Sequence, residues 1–220
     1  MIIAIDGPAG AGKSTIAKIV AGRLGFLYID TGAMYRALTL KALDSNIEIS
    51  DTAKIIEMAR HTQVALENNA KGLTVLLDGK DVSDPIRETR VTSHVSDIAK
   101  IKEVRQILVE LQRSLGAQRD AVLDGRDIGT VVFPQADKKF YLDADFRERA
   151  KRRFIELKAL GKDVTLDAIE RDVKNRDTID STREHAPLKK ADDAVYIDTT
   201  PLTIDQVVEK ILTYILPRHG

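Results

Sequence analysis

Residues 7–14 read Gly-Pro-Ala-Gly-Ala-Gly-Lys-Ser and directly follow the apolar run Ile-Ile-Ala-Ile of residues 2–5. The spacing G-x-x-x-x-G-K-S, after a strand and before a helix, is typical of a loop that wraps its backbone N–H groups around a polyphosphate. The helix that begins here turns its positive end toward the anion. The stretch therefore predicts a binding site for ATP or GTP.

Two side chains of this loop have roles that follow from their chemistry. Lys13 can reach the outer phosphates, and the Ser14 hydroxyl can ligate Mg²⁺. A glycine-rich turn that binds nothing is the alternative, and the complete spacing makes it the weaker one. The candidate ATP-binding residues are Gly7, Pro8, Ala9, Gly10, Ala11, Gly12, Lys13, Ser14 and Thr15.

Composition narrows the class of protein. The 220 residues are 43% hydrophobic, with 34 basic and 34 acidic side chains and no cysteine. Charge balance gives no global field for a nucleic-acid polymer or an anionic membrane, and the missing cysteines exclude disulfides and thiolate sites. No long apolar segment or leader-like pattern is present. We expect a soluble, cytoplasmic, monomeric protein that binds small molecules.

Apolar runs separated by helical stretches predict the fold. Helical spacing from Ile16 to Leu24 ends at Gly25, and a second short strand follows at 26–29. Three further buried strands are expected at 121–123, 139–142 and 194–197. This order predicts an α/β three-layer sandwich of the P-loop NTPase type, a central parallel sheet between layers of helices.

One segment interrupts that order. Residues 62–67 and 73–77 alternate apolar and polar side chains around a turn at 68–72, which predicts an antiparallel hairpin, and Asp84-Pro85 is expected to cap the next helix. We predict one domain with a core at about 1–40, 88–145 and 190–220. A nucleotide-binding insert is expected at about 41–87 and an arginine-rich lid, turning near Gly161, at about 146–185.

Several arginines stand where a phosphate acceptor could bind. Thr31 and Arg36 follow the second predicted strand, and Arg126 and Asp127 follow the strand at 121–123. Ligands of such folds bind at the carboxyl ends of the strands, and guanidinium groups fork onto phosphate oxygens. A helix cap at Thr31, a surface turn at 124–127 and solvated arginines in the lid are the alternatives.

Four stretches resemble bacterial cytidylate kinases over nearly the whole chain. They are residues 7–15, the Asp-Thr-Gly-Ala-Met-Tyr-Arg of 30–36, the Asp-Gly-Arg-Asp-Ile-Gly-Thr-Val-Val-Phe-Pro of 124–134 and the Arg-Glu-His-Ala-Pro-Leu of 183–188. The resemblance implies transfer of the γ-phosphoryl group of ATP, with Mg²⁺, to CMP or dCMP. It also implies an inserted subdomain with a short antiparallel sheet that binds the monophosphate.

The resemblance also implies roles for individual residues. Those implied for the phosphate and sugar of the acceptor are Thr31, Arg36, Arg126, Arg176, Asp180 and Arg183. Of these, Asp180 would lie near the ribose. Those implied for the base are Ser96, Arg105 and Asp127. Catalysis would rest on Lys13, Arg126, Arg149, Arg152 and Arg153, the last three in the Arg-x-x-Arg-Arg pattern of the lid.

The chemistry of cytosine agrees with the implied base site. Cytosine presents an amino donor at N4 beside the acceptors N3 and O2, which suits a carboxylate next to a cation. Uracil presents O4 to that carboxylate. This mismatch can disfavour uracil against cytosine by orders of magnitude.

Two other functions use the same phosphate loop. A kinase of another small acceptor, UMP or shikimate, differs only in what it phosphorylates. A P-loop GTPase or ATPase switch is the other alternative. A GTPase switch should carry D-x-x-G and N-K-x-D elements, and neither occurs in this sequence.

Overall fold

The structure is a computed structural model that describes residues 1–69 and 72–216. Its strands are β1 (Ile2–Asp6), β2 (Leu27–Asp30), β3 (Val64–Asn69), β4 (Gly72–Leu77), β5 (Lys80–Asp81), β6 (Ala121–Gly125), β7 (Lys138–Asp143) and β8 (Val195–Asp198). Its helices are α1 (Lys13–Leu24), α2 (Thr31–Asp44), α3 (Thr52–Arg60), α4 (Thr89–Thr92), α5 (Val95–Ala99), α6 (Lys102–Gly116), α7 (Phe146–Ala159), α8 (Leu166–Thr182) and α9 (Ile204–Ile215).

Five strands form the central sheet in the order β2-β6-β1-β7-β8, and every neighbouring pair is parallel. Both faces are buried, as parallel sheets require. Ile3 and Ile5 of β1 join a core with α1 and α9, whereas Ala4 joins the core formed with α2 and α6. The predicted three-layer α/β sandwich is therefore confirmed.

A second sheet, β3-β4-β5, is antiparallel. Val64 pairs with Leu77 and Leu66 with Val75, so the alternation seen in the sequence is the register of a hairpin. The tip residues 70–71 of that predicted hairpin, and 217–220 of the predicted core, lie outside the described residues.

The lid segment forms a helical hairpin. Helices α7 and α8 enclose a small apolar cluster that includes Leu157, Ile169 and Val173. The chain turns at Gly161, whose φ of +70° is one that glycine adopts without strain.

One local prediction is wrong. Asp84 makes no capping hydrogen bond, and Pro85–Arg87 form only a single 3₁₀ turn. Proline at the first helical position suits both outcomes, so the dipeptide alone could not distinguish them.

Within the described residues, every helix is too short or too polar to cross a membrane.

Candidate active site

The phosphate loop follows β1, the middle strand of the sheet, and β6 and β7 end on either side of it. Gly7 has a φ of +148°, and a Cβ there would lie 1.9 Å from the carbonyl oxygen of Leu142. Gly10 has a φ of +77°, and its Cβ would press against Arg149 at 3.0 Å. Both positions therefore demand glycine.

Lys13 opens α1 and is 5% exposed. Its Nζ donates to the carbonyl oxygen of Pro8 at 2.6 Å, across the loop. Burial, and next the charge of Arg126, hold the pKa of Lys13 well below its ordinary value. The charge of an anion bound in the loop would offset both effects, so the site suits a negatively charged ligand.

Ser14 of the phosphate loop is hydrogen-bonded to Asp124, which lies near the end of β6. The Ser14 hydroxyl donates to Oδ2 of Asp124 at 2.7 Å, and the Tyr28 hydroxyl donates to Oδ1 at 2.8 Å. Burial, and next the charge of Asp30, raise the pKa of Asp124 to about 6. Among the described residues, no group of three or more acidic or histidine side chains is placed so that it could hold a metal ion. A hydroxyl and a carboxylate nevertheless suit Mg²⁺, which takes few protein ligands when phosphates supply the others.

Helix α2 carries Thr31 and Arg36 to the same edge of the sheet. Asp30 caps this helix by accepting the N–H of Ala33 at 2.8 Å, and its other oxygen accepts Nη2 of Arg36 at 3.0 Å. Thr31 donates to the carbonyl oxygen of Asp124 at 2.7 Å, so Thr31 ties α2 to β6. The prediction that these two side chains lie beside the phosphate loop is confirmed.

A buried ion-pair network lies further along the cleft. Arg105 of α6 contacts Asp127, and Nη2 of Arg183 lies 3.4 Å from the other oxygen of that carboxylate. Arg105 and Asp127 are only 4% and 5% exposed. The ring of Tyr35 lies 5.6 Å from the guanidinium carbon of Arg105. A carboxylate between two guanidinium groups offers acceptors beside donors, an arrangement that suits a ring carrying both kinds of group.

Asp180 of α8 connects two more of the predicted residues. It accepts Nε of Arg126 at 2.8 Å and the hydroxyl of Ser96 at 3.2 Å. Burial opposes its ionisation, but the charges of Arg126 and Arg183 hold the pKa of Asp180 below its ordinary value. Asp180 is therefore a fixed negative charge among the arginines.

Positive charge in the cleft exceeds what the protein neutralises. Burial, and next the charge of Arg126, lower the pKa of Arg176 to about 10. Among the described residues, Nε of Arg36 and Nε of Arg176 are buried without a hydrogen-bond partner. Unpaired buried donors of this kind cost free energy until an acceptor arrives. The arrangement fits an anionic ligand such as a phosphate.

The three lid arginines point to different places. Arg149 is buried, and its guanidinium donates to the carbonyl oxygen of Ala9 at 2.9 Å and to Asp177 at 2.5 Å. Arg152 donates to the backbone and hydroxyl of Thr199, and Arg153 pairs with Glu156 of its own helix. Arg149 thus contacts the back of the phosphate loop.

The site is a single cleft of about 1330 Å³. All but three of the predicted residues line it, and the three that do not are Gly7, Pro8 and Arg149. The predicted residues in its lining are Ala9, Gly10, Ala11, Gly12, Lys13, Ser14, Thr15, Thr31, Arg36, Ser96, Arg105, Arg126, Asp127, Arg152, Arg153, Arg176, Asp180 and Arg183.

Three acidic residues received no role from the sequence. Asp6 ends β1, Asp124 accepts from Ser14, and Asp177 accepts the N–H of Ala9 at 3.3 Å. The first two could have been noticed, because each ends a buried strand at the ligand-binding edge of the sheet. Asp177 lies in a helix rich in mixed charge, and no pattern there distinguishes it.

Comparison with known proteins agrees with this geometry. The family model described as Cytidylate kinase matches residues 3–216. A protein named Cytidylate kinase from Alkaliphilus oremlandii is 54% identical over 211 residues, which cover 96% of this chain and 95% of that relative. One of the same name from Clostridioides difficile is 50% identical and covers 98% of both chains.

A solved structure also matches. An uncharacterized protein from Eubacterium ventriosum superposes with a TM-score of 0.52 at 13% identity, covering 98% of this chain and 97% of that one. At that identity the likeness concerns the fold alone.

Proposed function

The chain belongs to the cytidylate kinase family, and we propose that its cleft transfers the γ-phosphoryl group of ATP to CMP or dCMP, giving ADP and CDP or dCDP. The protein is an enzyme, an ATP-dependent phosphotransferase, and neither another small acceptor nor a GTPase switch is favoured. One observation carries the assignment of the acceptor: the buried contact of Arg105 with Asp127 lies in the same cleft as the phosphate loop.

On the donor side, residues 7–15 hold ATP. The backbone N–H groups surround the β- and γ-phosphates, and Lys13 exchanges its bond to Pro8 for a phosphate oxygen. Ser14, supported by Asp124, would hold Mg²⁺. Bound Mg²⁺ neutralises charge on the phosphates during transfer.

On the acceptor side, the guanidinium groups bind the phosphate and sugar and the ion-pair network reads the base. The proposed phosphate and sugar ligands are Thr31, Arg36, Arg126, Arg176, Asp180 and Arg183. Asp127 accepts from the N4 amino group of cytosine, and Arg105 and Ser96 donate to its acceptors. Uracil would place O4 against Asp127, leaving buried groups unpaired.

The transfer needs no general base. The acceptor's phosphate oxygen is already a nucleophile near neutral pH, so catalysis consists of alignment and charge neutralisation. We assign the neutralisation of charge on the transferred phosphoryl group to Lys13, Arg126, Arg152 and Arg153. Arg149 would support the phosphate loop from behind. The lid at about 146–185 would close over both substrates. The insert at about 41–87 contributes Leu73, Ser83, Asp84 and Arg87 to the wall of the cleft and would help to enclose the acceptor. We also propose that the protein acts as a monomer in the cytoplasm.

A coupled assay of ADP formation tests the proposal. ATP and Mg²⁺ are offered with CMP, dCMP, UMP, AMP or shikimate in turn, and with no acceptor as the control. We expect kcat/KM for CMP and dCMP to exceed that for UMP at least tenfold, with little ADP in the control. Equal rates with all monophosphates would refute the base assignment, and ADP formation without an acceptor would indicate an ATPase.

A further inference from the structure

Asp6 is a buried carboxylate without a role in the reaction described above. It ends β1, is 5% exposed and does not line the cleft among the described residues. Its Oδ1 accepts the N–H of Ile128 at 2.8 Å, and its Oδ2 accepts the N–H of Gly129 at 2.8 Å. One side chain therefore holds two consecutive amides that lie more than 120 residues away along the chain.

Those two amides immediately follow Asp127. They open a π-helical turn, Ile128–Val132, in which the N–H groups of Val131 and Val132 donate to the carbonyl oxygen of Asp127 at 2.9 and 3.1 Å. On its other side Asp127 is two residues from Gly125, which is paired with Asp6 in the sheet. The backbone of Asp127 is thus fixed between the sheet and the bonds to Asp6.

Such fixation matters because Asp127 has a short side chain. Its carboxylate reaches both Arg105 and Arg183, so a backbone shift of roughly 1 Å would break this recognition geometry. Burial opposes a charge at Asp6 and raises its pKa to about 7, although the two N–H groups act against this. The facing ionisable groups are Asp127, Lys13 and Tyr141, with the stem of Lys139 against Gly129.

We propose that Asp6 is a positioning residue that sets the selectivity for CMP over UMP by fixing the backbone that carries Asp127. The inference rests on the proposed function, since it concerns the base site of the same cleft. Asp6 touches neither substrate and acts through Asp127.

The substitution Asp6→Asn tests this. Asparagine keeps the size but can accept only one of the two N–H groups, and its amino group opposes the other. We expect kcat/KM for CMP relative to UMP to fall about tenfold and KM for CMP to rise, while KM for ATP stays within about twofold. Asp137→Asn is the matched control, because Asp137 accepts the N–H of Ile2 at the opposite end of β1.

Other outcomes overturn the proposal. An unchanged ratio of CMP to UMP in Asp6→Asn would do so, as would equal losses with CMP and UMP, which indicate a general defect of the fold. If the variant does not fold, amide hydrogen exchange in the wild-type protein decides. Protection of the Ile128 and Gly129 amides at least about 100-fold is expected, and unprotected amides would refute the positioning role.

The same assays separate the two hypotheses. A wild-type protein that shows no preference for CMP over UMP would refute the base assignment of the proposed function. The exchange of the two amides would still report whether Asp6 holds this turn.

Discussion

The two halves that we propose for the cleft, one for the donor and one for the acceptor, are built in opposite ways. The donor half is nine consecutive residues whose shape comes from glycine backbone and whose ligands are mainly N–H groups. The acceptor half takes side chains from α2, α5, α6, the turn after β6 and α8. A contiguous site depends on local geometry, whereas a distributed site depends on the packing of the whole sheet. The donor half should therefore fail through single groups, and the acceptor half through the loss of mutual positioning.

The largest expected effect is at Lys13. Lys13→Ala removes the only side-chain cation of the phosphate loop, and we expect kcat to fall about 10³-fold because charge on the transferred group is no longer neutralised. ADP formation with saturating CMP measures it. Lys210→Ala, an exposed lysine on α9, is the control. A fall of less than tenfold would contradict the division of the cleft into halves.

A smaller, selective effect is expected at Asp127. Asp127→Asn places an amino group where cytosine presents its own, and we expect kcat/KM for CMP to fall about 100-fold and that for UMP much less. The ratio of kcat/KM for the two substrates is the measurement, and Asp205→Asn in the exposed first turn of α9 is the control. Equal losses for both substrates would show that Asp127 only supports the fold.

The smallest effect concerns Asp124, where the halves meet. Its pKa of about 6 in the folded protein exceeds its ordinary value of 3.8, so its contribution to stability is full below pH 4 and is lost as pH rises through 6. Asp124→Asn should remove this dependence, on the order of 2 kcal/mol between pH 4 and 7.

Urea unfolding at pH 4, 5, 6 and 7 measures it, as the difference in free energy of unfolding between wild type and variant. The fully exposed Asp163→Asn should run parallel to the wild type. A constant difference between wild type and Asp124→Asn would contradict the perturbed ionisation and weaken the view of Asp124 as the junction.

The same contrast explains what the sequence could predict. The strands other than the two-residue β5, the hairpin and the α1 start at Lys13 were predictable, since each follows from a periodicity or a spacing within about 15 residues. Thr31 and Arg36 were also predictable, because a helix start after a buried strand leaves them little choice of position. The resemblance, more than local pattern, pointed to Ser96, Arg105 and Arg176.

The partners of these side chains were not predictable. The bonds from Asp6 to Ile128 and from Asp177 to Ala9 join segments more than 100 residues apart, and no local pattern encodes them. The Arg-x-x-Arg-Arg spacing of the lid likewise gave three equivalent cations. The structure distinguishes Arg149 from the other two because it is buried against Gly10 and donates to Ala9 and Asp177.

The contact of Asp177 with the phosphate loop has a thermodynamic consequence. Helix α8 carries Asp177 to the loop, and the adjacent Arg176 and the next-turn Asp180 line the part of the cleft that we propose for the acceptor. If α8 shifts when ATP binds to the phosphate loop, Arg176 and Asp180 shift with it. Linkage is reciprocal, so a non-hydrolysable ATP analogue must change the Kd of CMP by the same factor by which CMP changes the Kd of the analogue. Asp177→Asn should bring that factor toward one.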